Sequence, residues 1–471
     1  MMREMEIIAD LQIHSKYSRA VSNKMDLFEI ARCASKKGIQ LVATGDWTHP
    51  VWFEHIKQEL TEASPGIFVL KNPPQDIKNP VYFLLSTEIS SIYSQDGAVR
   101  RIHNLVFSPS VDVCTAIIKA LMGRGAKLGS DGRPIVGISS RGLLELCLEA
   151  SSDTMLIPAH AWTPWFGMYG SKSGFDSIAQ CFGDLEQYVH AIETGLSSDP
   201  AMNWQIAELD NRAIVSFSDA HSGPKLGREA TVFVSSALSS KDPDHASGDV
   251  GSVIKDSTAR LTPAWNDNDK VSFSYADIVG AIKQDKKSKL RLGYTIEFFP
   301  EEGKYHWSGH REHNIRFSPA EIKKQGTICP VCKRPLTIGV ENRVLDVAHR
   351  SISAEQLVHI QNERGVTFVH DKAKKRVPFV SAIPLLEILN EIHHSPTKAL
   401  REYERLVEHT AEFSLLLEKS YTEVEHLGGT RLCEAIQLVR ERKVVVEPGY
   451  DGVFGTIKLF DSPKQEQATL F

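Results

Sequence analysis

The sequence predicts an α/β chain, a βα-repeat barrel or sheet followed by a small zinc-binding module and a mainly helical C-terminal region. Three observations carry this. Over residues 1–235 short apolar runs alternate with helical stretches at 27–37, 110–122, 143–150 and 202–211, the rhythm of repeated βα units. Farther on, His310 with His313 and Cys329 with Cys332 form two ligand pairs 15 residues apart. After Arg350, apolar residues recur at helical spacing over 354–363, 385–393, 397–421 and 429–442.

A chain of 471 residues, 42% hydrophobic and 24% charged, has ample core and is too long for one ordinary domain. The expected division is 1–299, 300–350, 351–461 and a polar tail over 462–471. Within the first unit, 235–269 turns to Ser, Asp, Lys, Gly and Pro without periodicity and reads as a surface insertion. A helix is expected at 275–283 and a strand at 289–299; later strands at 443–447 and 454–460 flank a turn at 448–452. The first residues form neither a signal peptide nor a spanning segment, so a cytoplasmic protein without a membrane partner is expected. Apart from Cys329 and Cys332 the seven cysteines are scattered, which argues against a disulfide framework. The net charge of -5 carries no global sign of nucleic-acid binding, leaving local basic runs at 372–376 and 431–443 as candidate phosphate-binding faces. No glycine-rich phosphate loop is present, so no nucleotide cofactor is expected.

The candidate ligands follow the strands in order. Asp10-Leu11-Gln12-Ile13-His14 alternates polar and apolar residues, so its polar side chains share one face of a strand. The apolar run 39–44 leads to Asp46 and His49, a third segment to Glu88, and the run 213–217 to Asp219 and His221, with His103 and His160 between. Ligands at successive strand ends converge on one rim, where βα-repeat folds place active sites. Imidazoles suit zinc, manganese or iron, and carboxylates the harder ions such as magnesium. In the second module His310, His313, Cys329 and Cys332 suit one closed tetrahedral zinc of structural role, with His306 and His349 as alternative outer ligands.

These clusters resemble the polymerase and histidinol phosphatase (PHP) domain, a distorted βα barrel that holds two or three metal ions and hydrolyses phosphoesters. More narrowly, TGDWTHP at 44–50, PAHAWTPWF at 158–166, GSKSGFD at 170–176, IETGLSSDP at 192–200 and the zinc module resemble endonuclease Q. The resemblance implies a DNA repair nuclease that nicks the strand 5′ of deoxyinosine, deoxyuridine and abasic sites, leaving 3′-hydroxyl and 5′-phosphate ends. It places the metal ligands at His14, Asp46 or His49, Glu88, His103, His160, Asp219 and His221, with Glu88 as bridging carboxylate and Asp219, Glu88 and His14 at the centre of catalysis. Two divalent ions about 4 Å apart activate water and stabilise the departing oxygen in such chemistry.

The chain departs from that pattern at Gln12, where the resemblance puts the first histidine of His-x-His. Three accounts fit: a natural variant with one metal held differently, an inactivating substitution, or a PHP fold retained for binding. Other substrates therefore stay open, a small phosphomonoester or a DNA 3′ end, as does a DNA- or clamp-binding scaffold. Reading a damaged base requires a flipped nucleotide against aromatic walls. Trp162, Trp165, Phe166 and Tyr169 are candidates for those walls, Ser171, Lys172 and Ser173 for phosphate contact, and Lys16, Tyr17 and Arg19 for gripping the backbone. The tail ends in QATLF, where Gln467, Leu470 and Phe471 resemble the peptide by which bacterial repair proteins dock on the β sliding clamp.

Overall fold

The computed structural model describes residues 6–235, 271–352 and 354–460. The expected insertion, apart from Ser235, and the clamp-like Gln467, Leu470 and Phe471 lie outside the described residues. A ten-stranded mixed sheet runs, edge to edge, through Leu357–Gln361, Thr367–Asp371, Phe379–Ser381, Leu290–Glu297, Ala230–Ser235, Glu6–Asp10, Leu41–Ala43, Tyr82–Leu84, Ile67–Leu70 and Leu60–Ser64. A four-stranded sheet follows in the order Ile135–Val136, Ser86–Gln95, Ala98–Phe107, Met155–Pro158, and Ala191–Glu193 pairs in parallel with Ala213–Val215.

These three sheets enclose a common interior. One buried cluster takes Ala9, Leu41 and Leu84 from the first, Leu105 and Ile157 from the second, and Ala191 and Val215 from the third. Backbone bonds join the sheets where the ladders stop. Ala161 N–H donates to Glu193 O and His14 N–H to Ala220 O, each at 3.0 Å. The helix Tyr275–Ile282, closed by a capping box between Ser274 and Asp277, packs Tyr275, Ile278 and Ile282 into the same interior. The helices Leu27–Lys37, Val111–Gly123 and Ser140–Ala150 cover the outside, each N-capped by the preceding Asp26, Ser110 or Ser139.

The region after 350 is less helical than its spacing suggests. Residues expected as a helix at 354–363 form a 3₁₀ turn, Ala354–Gln356, and the strand Leu357–Gln361. The cause is local and tertiary: Asn362 Oδ1 accepts from Arg364 and Val366 N–H, Gly365 has φ 75°, and the chain folds back as Thr367–Asp371. Phe379–Ser381 then joins the main sheet beside Thr295. The stretch expected as one helix over 397–421 breaks after Pro396–Val407, passes through a π-turn at Ser414–Glu418, and restarts at Tyr421 under a Ser420–Glu423 capping box. Similarly, 202–211 splits into Pro200–Asn203 and Ala207–Leu209. Among the described residues no helix is long and apolar enough to cross a membrane, and all seven cysteines are free thiols.

Candidate metal centre

Strand ends deliver the cluster, and the backbone is bent to fit. Asp46, His160 and Asp219 lie just past strands with φ of 48°, 30° and 47°. This left-handed conformation costs a non-glycine residue roughly 1–3 kcal/mol and persists where surrounding contacts fix it. Two glycines allow the crowding: a Cβ on Gly195 would stand 2.5 Å from His160 Cβ, and one on Gly132 2.5 Å from Asp46 Oδ2.

His14 is the hub. Its Nδ1–H donates to Asp46 Oδ1 at 3.0 Å, and its Nε2 faces Glu88 Oε2 at 2.9 Å and Asp219 Oδ1 at 3.2 Å. The second Asp46 oxygen accepts from Ser15 N–H at 2.6 Å, Ser15 Oγ at 2.7 Å and Ser18 Oγ at 3.0 Å. Glu88 divides its carboxylate. Oε2 meets His14 and the Gln12 amide, which donates at 3.0 Å, while Oε1 faces His103 Nδ1, His160 Nε2 at 3.5 Å and Arg133 at 3.6 Å. His160 is held by Thr163 Oγ1 at 3.0 Å from its Nδ1, and its backbone N–H donates to Glu193 at 2.6 Å. His221 Nδ1–H donates to the Asp219 carbonyl at 2.7 Å. Two trios result, His14–Asp219–His221 and Glu88–His103–His160, the ligand atoms of each within 4.8 Å of one another. Buried carboxylate oxygens facing imidazole nitrogens at these distances, together with the unpartnered oxygen of Gln12, are a donor set that fits divalent cations.

The electrostatics are dominated by buried carboxylates. Burial alone would lower His14, but Asp46, Asp219 and Glu88 outweigh it and hold the imidazole well above its ordinary range. Burial would raise Glu88, yet His103, Arg133 and His14 hold it well below the carboxylate norm. His103 is pushed down to about 4 by burial against the pull of Glu88. Carboxylates that raise a buried imidazole against its own desolvation make an environment that favours positive charge.

The other expected site residues are placed differently. His49 joins neither trio; it caps the helix Pro50–Glu59, accepting from Trp52 N–H at 3.4 Å, and stacks on Tyr17 at 4.6 Å. Asp46 also stands outside the trios and orients His14. Trp162 and Tyr169 are fully buried, stacked on each other at 4.5 Å and bonded to Asn203 and Glu208, so they are core of the loop and not a free wall. Phe166 lies over the His103 ring at 4.4 Å, and half-buried Trp165 meets Tyr305 at 5.8 Å. Ser171 Oγ and Lys172 Nζ bond the carbonyls of Ile338 and Leu336 in place of a phosphate, and Ser173 braces Phe166 N–H and Arg101 O. Half-buried Lys16 sits over Tyr17, and exposed Arg19 pairs with Asp131.

His310, His313, Cys329 and Cys332 come together as a four-ligand group, with Cys329 Sγ 3.7 Å from His313 Nδ1 and Cys332 Sγ 3.6 Å from His310 Nδ1. His306 is turned away, bonded to Ser197 O, and the His349 backbone bonds Gln205 O. In the basic runs, Arg376 pairs with Asp210 at 2.6 Å, Arg431 with Glu434 at 3.0 Å, and Arg440 is buried against carbonyls. Sequence reasoning missed Arg133 and the loop that carries it, GSDGRP at 129–134, whose signal was two glycines flanking a charged residue between predicted elements.

No protein-family model matches the chain. An uncharacterised protein of Methanocaldococcus jannaschii is 27% identical over 322 residues, 66% of this chain and 33% of that protein. An uncharacterised protein of Bacillus subtilis is 28% identical over 242 residues, 48% of this chain and 57% of that protein. The chain thus spans between a third and just over half of the length of these curated relatives. Among solved structures, the lesion-specific endonuclease PfuEndoQ of Pyrococcus furiosus is similar with a TM-score of 0.74 at 24% identity, over 99% of this chain and 100% of that one. An endonuclease Q in complex with a 27-mer duplex substrate bearing an abasic lesion at the active site gives 0.74 at 24%, over 98% and 100%. The chain has the endonuclease Q fold along its length.

Proposed function

We propose that this chain, built on the endonuclease Q fold, is a metal-dependent DNA repair endonuclease. It hydrolyses the phosphodiester 5′ of deoxyinosine, deoxyuridine and abasic sites and leaves 3′-hydroxyl and 5′-phosphate ends. The observation that carries the reading is Glu88, whose two oxygens face the two ligand trios, in a chain similar over its whole length to lesion-specific nucleases.

His14, Asp219 and His221 would hold one divalent ion and Glu88, His103 and His160 another, with Glu88 between them. Bound there, divalent ions supply a deprotonated water and neutralise the departing oxygen. The chain's own residues fix the imidazoles. Asp46 keeps the His14 proton on Nδ1, so Nε2 is the atom presented to the cluster. The Asp219 carbonyl keeps the His221 proton on Nδ1, leaving its Nε2 as the ligand atom. Partners of this kind set tautomer and ring orientation. One zinc in the His310, His313, Cys329 and Cys332 group would have a structural role. Phe166, over the His103 ring, supplies aromatic surface beside the centre, and Gln467, Leu470 and Phe471 are proposed to dock on a sliding clamp.

Gln12 favours a second reading, a lesion-binding protein impaired in cleavage. Cleavage of an end-labelled duplex with one deoxyinosine or abasic site, in manganese or magnesium, separates the two. A nick 5′ of the lesion is expected. A nick given only by Gln12→His would establish the impaired form, and lesion-independent hydrolysis of simple phosphomonoesters would overturn both.

A further inference from the structure

The loop 125–135 and the segment that carries Arg19 together place three cations at different depths beside the candidate centre. Arg133 is innermost, its guanidinium 3.6 Å from Glu88 Oε1 and its side chain 23% exposed. Arg19 is outermost at 78% exposed, and Lys127 lies on the surface. Asp131 ties the series together: its Oδ1 accepts the backbone N–H of both Arg19 at 3.3 Å and Arg133 at 3.2 Å, and its Oδ2 pairs with Arg19 Nε at 3.4 Å. The loop is anchored to the first metal motif, because Gly132 N–H donates to Tyr17 O at 3.0 Å and the Gly132 Cα packs against Ser18 and Asp46 with no room for a side chain. Outside Arg133, a solvent-open cavity of about 260 Å³ is lined by Arg19, Gly125, Lys127, Ser130, Asp131 and Ile135.

We propose that Arg133 and this cavity form consecutive phosphate subsites for a polynucleotide backbone, Arg133 for the phosphate at the centre and Arg19 with Lys127 for its neighbour. The inference rests on the endonuclease reading. A graded line of cations leading from open solvent to the cluster fits a chain of phosphates better than one isolated anion, and the Asp131 tie fixes the two arginines against each other without neutralising Lys127. Guanidinium forks suit the phosphate nearest the reacting centre, where orientation matters most.

The test is binding of the full chain to a labelled 27-mer duplex with one abasic site, by anisotropy over 50–300 mM KCl. The double variant Arg19→Ala/Lys127→Ala is expected to weaken binding about tenfold at low salt and to reduce the slope of log K against log salt by about one, for the one phosphate the two residues share. Lys127→Glu, at an exposed position, should weaken binding further than Lys127→Ala with the same melting midpoint. If the parent chain binds and nicks the lesion duplex while both variants keep its affinity and slope, the subsites are wrong and the endonuclease reading stands. If the parent neither binds nor nicks it, that reading falls and this inference with it.

Discussion

The Gln12 side-chain amide donates to Glu88 Oε2 at 3.0 Å, so the residue standing where the resemblance puts a histidine acts as a hydrogen-bond donor to the carboxylate that faces both trios. The oxygen of the same Gln12 amide is buried without a hydrogen-bond partner. Gln12→Ala removes a group that orients a ligand and is expected to weaken divalent-metal binding by about tenfold, the lower end of such effects. Gln12→His replaces the donor by an imidazole and is expected to raise the zinc or manganese retained per chain. Metal content after dialysis against a weak chelator measures both, and equal retention in the three proteins would remove Gln12 from the site.

Asp46 and His49 separate in the same assay. Asp46 holds the proton of His14 and is itself held by Ser15 and Ser18, so Asp46→Ala is expected to lower metal affinity about 10- to 100-fold. His49→Ala removes a helix cap and is expected to cost about 1 kcal/mol of stability with metal content unchanged. Loss of metal on substitution of His49 would show that the ring turns inward when ions bind.

The strand-end residues that gather at the centre were legible because their signal is local: an apolar run fixes a strand, and the polar residue after it points out of the strand's end, as at His160 and Asp219. The two knuckles were legible for the same reason, since spacing by two residues brings His310 to His313 and Cys329 to Cys332. Arg133 was not, because its role comes from a loop folding back onto Tyr17 and Asp46, contacts that no periodicity encodes. At 357–361 the apolar residues Leu357, Val358 and Ile360 suit either period, and pairing with Thr367–Asp371 decides for strand. Trp162 and Tyr169 were misplaced because an aromatic beside a ligand carries no sign of which way it faces.

Glu297 gives stability a pH dependence. The side chain is buried against Ser216 and Thr295, and burial raises its pKa from 4.5 to about 8. Between those values the folded chain holds a proton that the unfolded chain has released, so its stabilising share is complete below pH 4.5 and is lost as pH rises towards 8. The slope is up to about 1.4 kcal/mol per pH unit. Urea midpoints are expected to fall from pH 5 to pH 8 and to fall less in Glu297→Gln; parallel profiles would mean that Glu297 is already ionised at pH 5.

Arg343 joins the module that holds the His310, His313, Cys329 and Cys332 group to the loop that carries His160 and Phe166. Its Nε donates to Tyr169 O at 2.8 Å, and its Nη2 donates to Phe175 O at 3.0 Å and Asp176 Oδ1 at 2.6 Å, while Ser171 and Lys172 reach Ile338 and Leu336 of the same module. Hydrogen bonds to a charged group contribute roughly 1.5–3 kcal/mol each at the strong end, and exposure of Asp176 reduces its share. Arg343→Ala is therefore expected to cost about 2 kcal/mol and to loosen the loop, so that cleavage falls in parallel with amide protection of 160–176. Arg343→Lys, which keeps charge without the fork, should restore only part of both. Removing metal bound at the His310, His313, Cys329 and Cys332 group should reproduce the loosening, because the helix Val340–Val347 that carries Arg343 belongs to the same module. Hydrogen exchange over 160–176 in the metal-depleted protein distinguishes the cases: unchanged protection would mean that the loop is held by the surrounding sheets alone and that the module has another use.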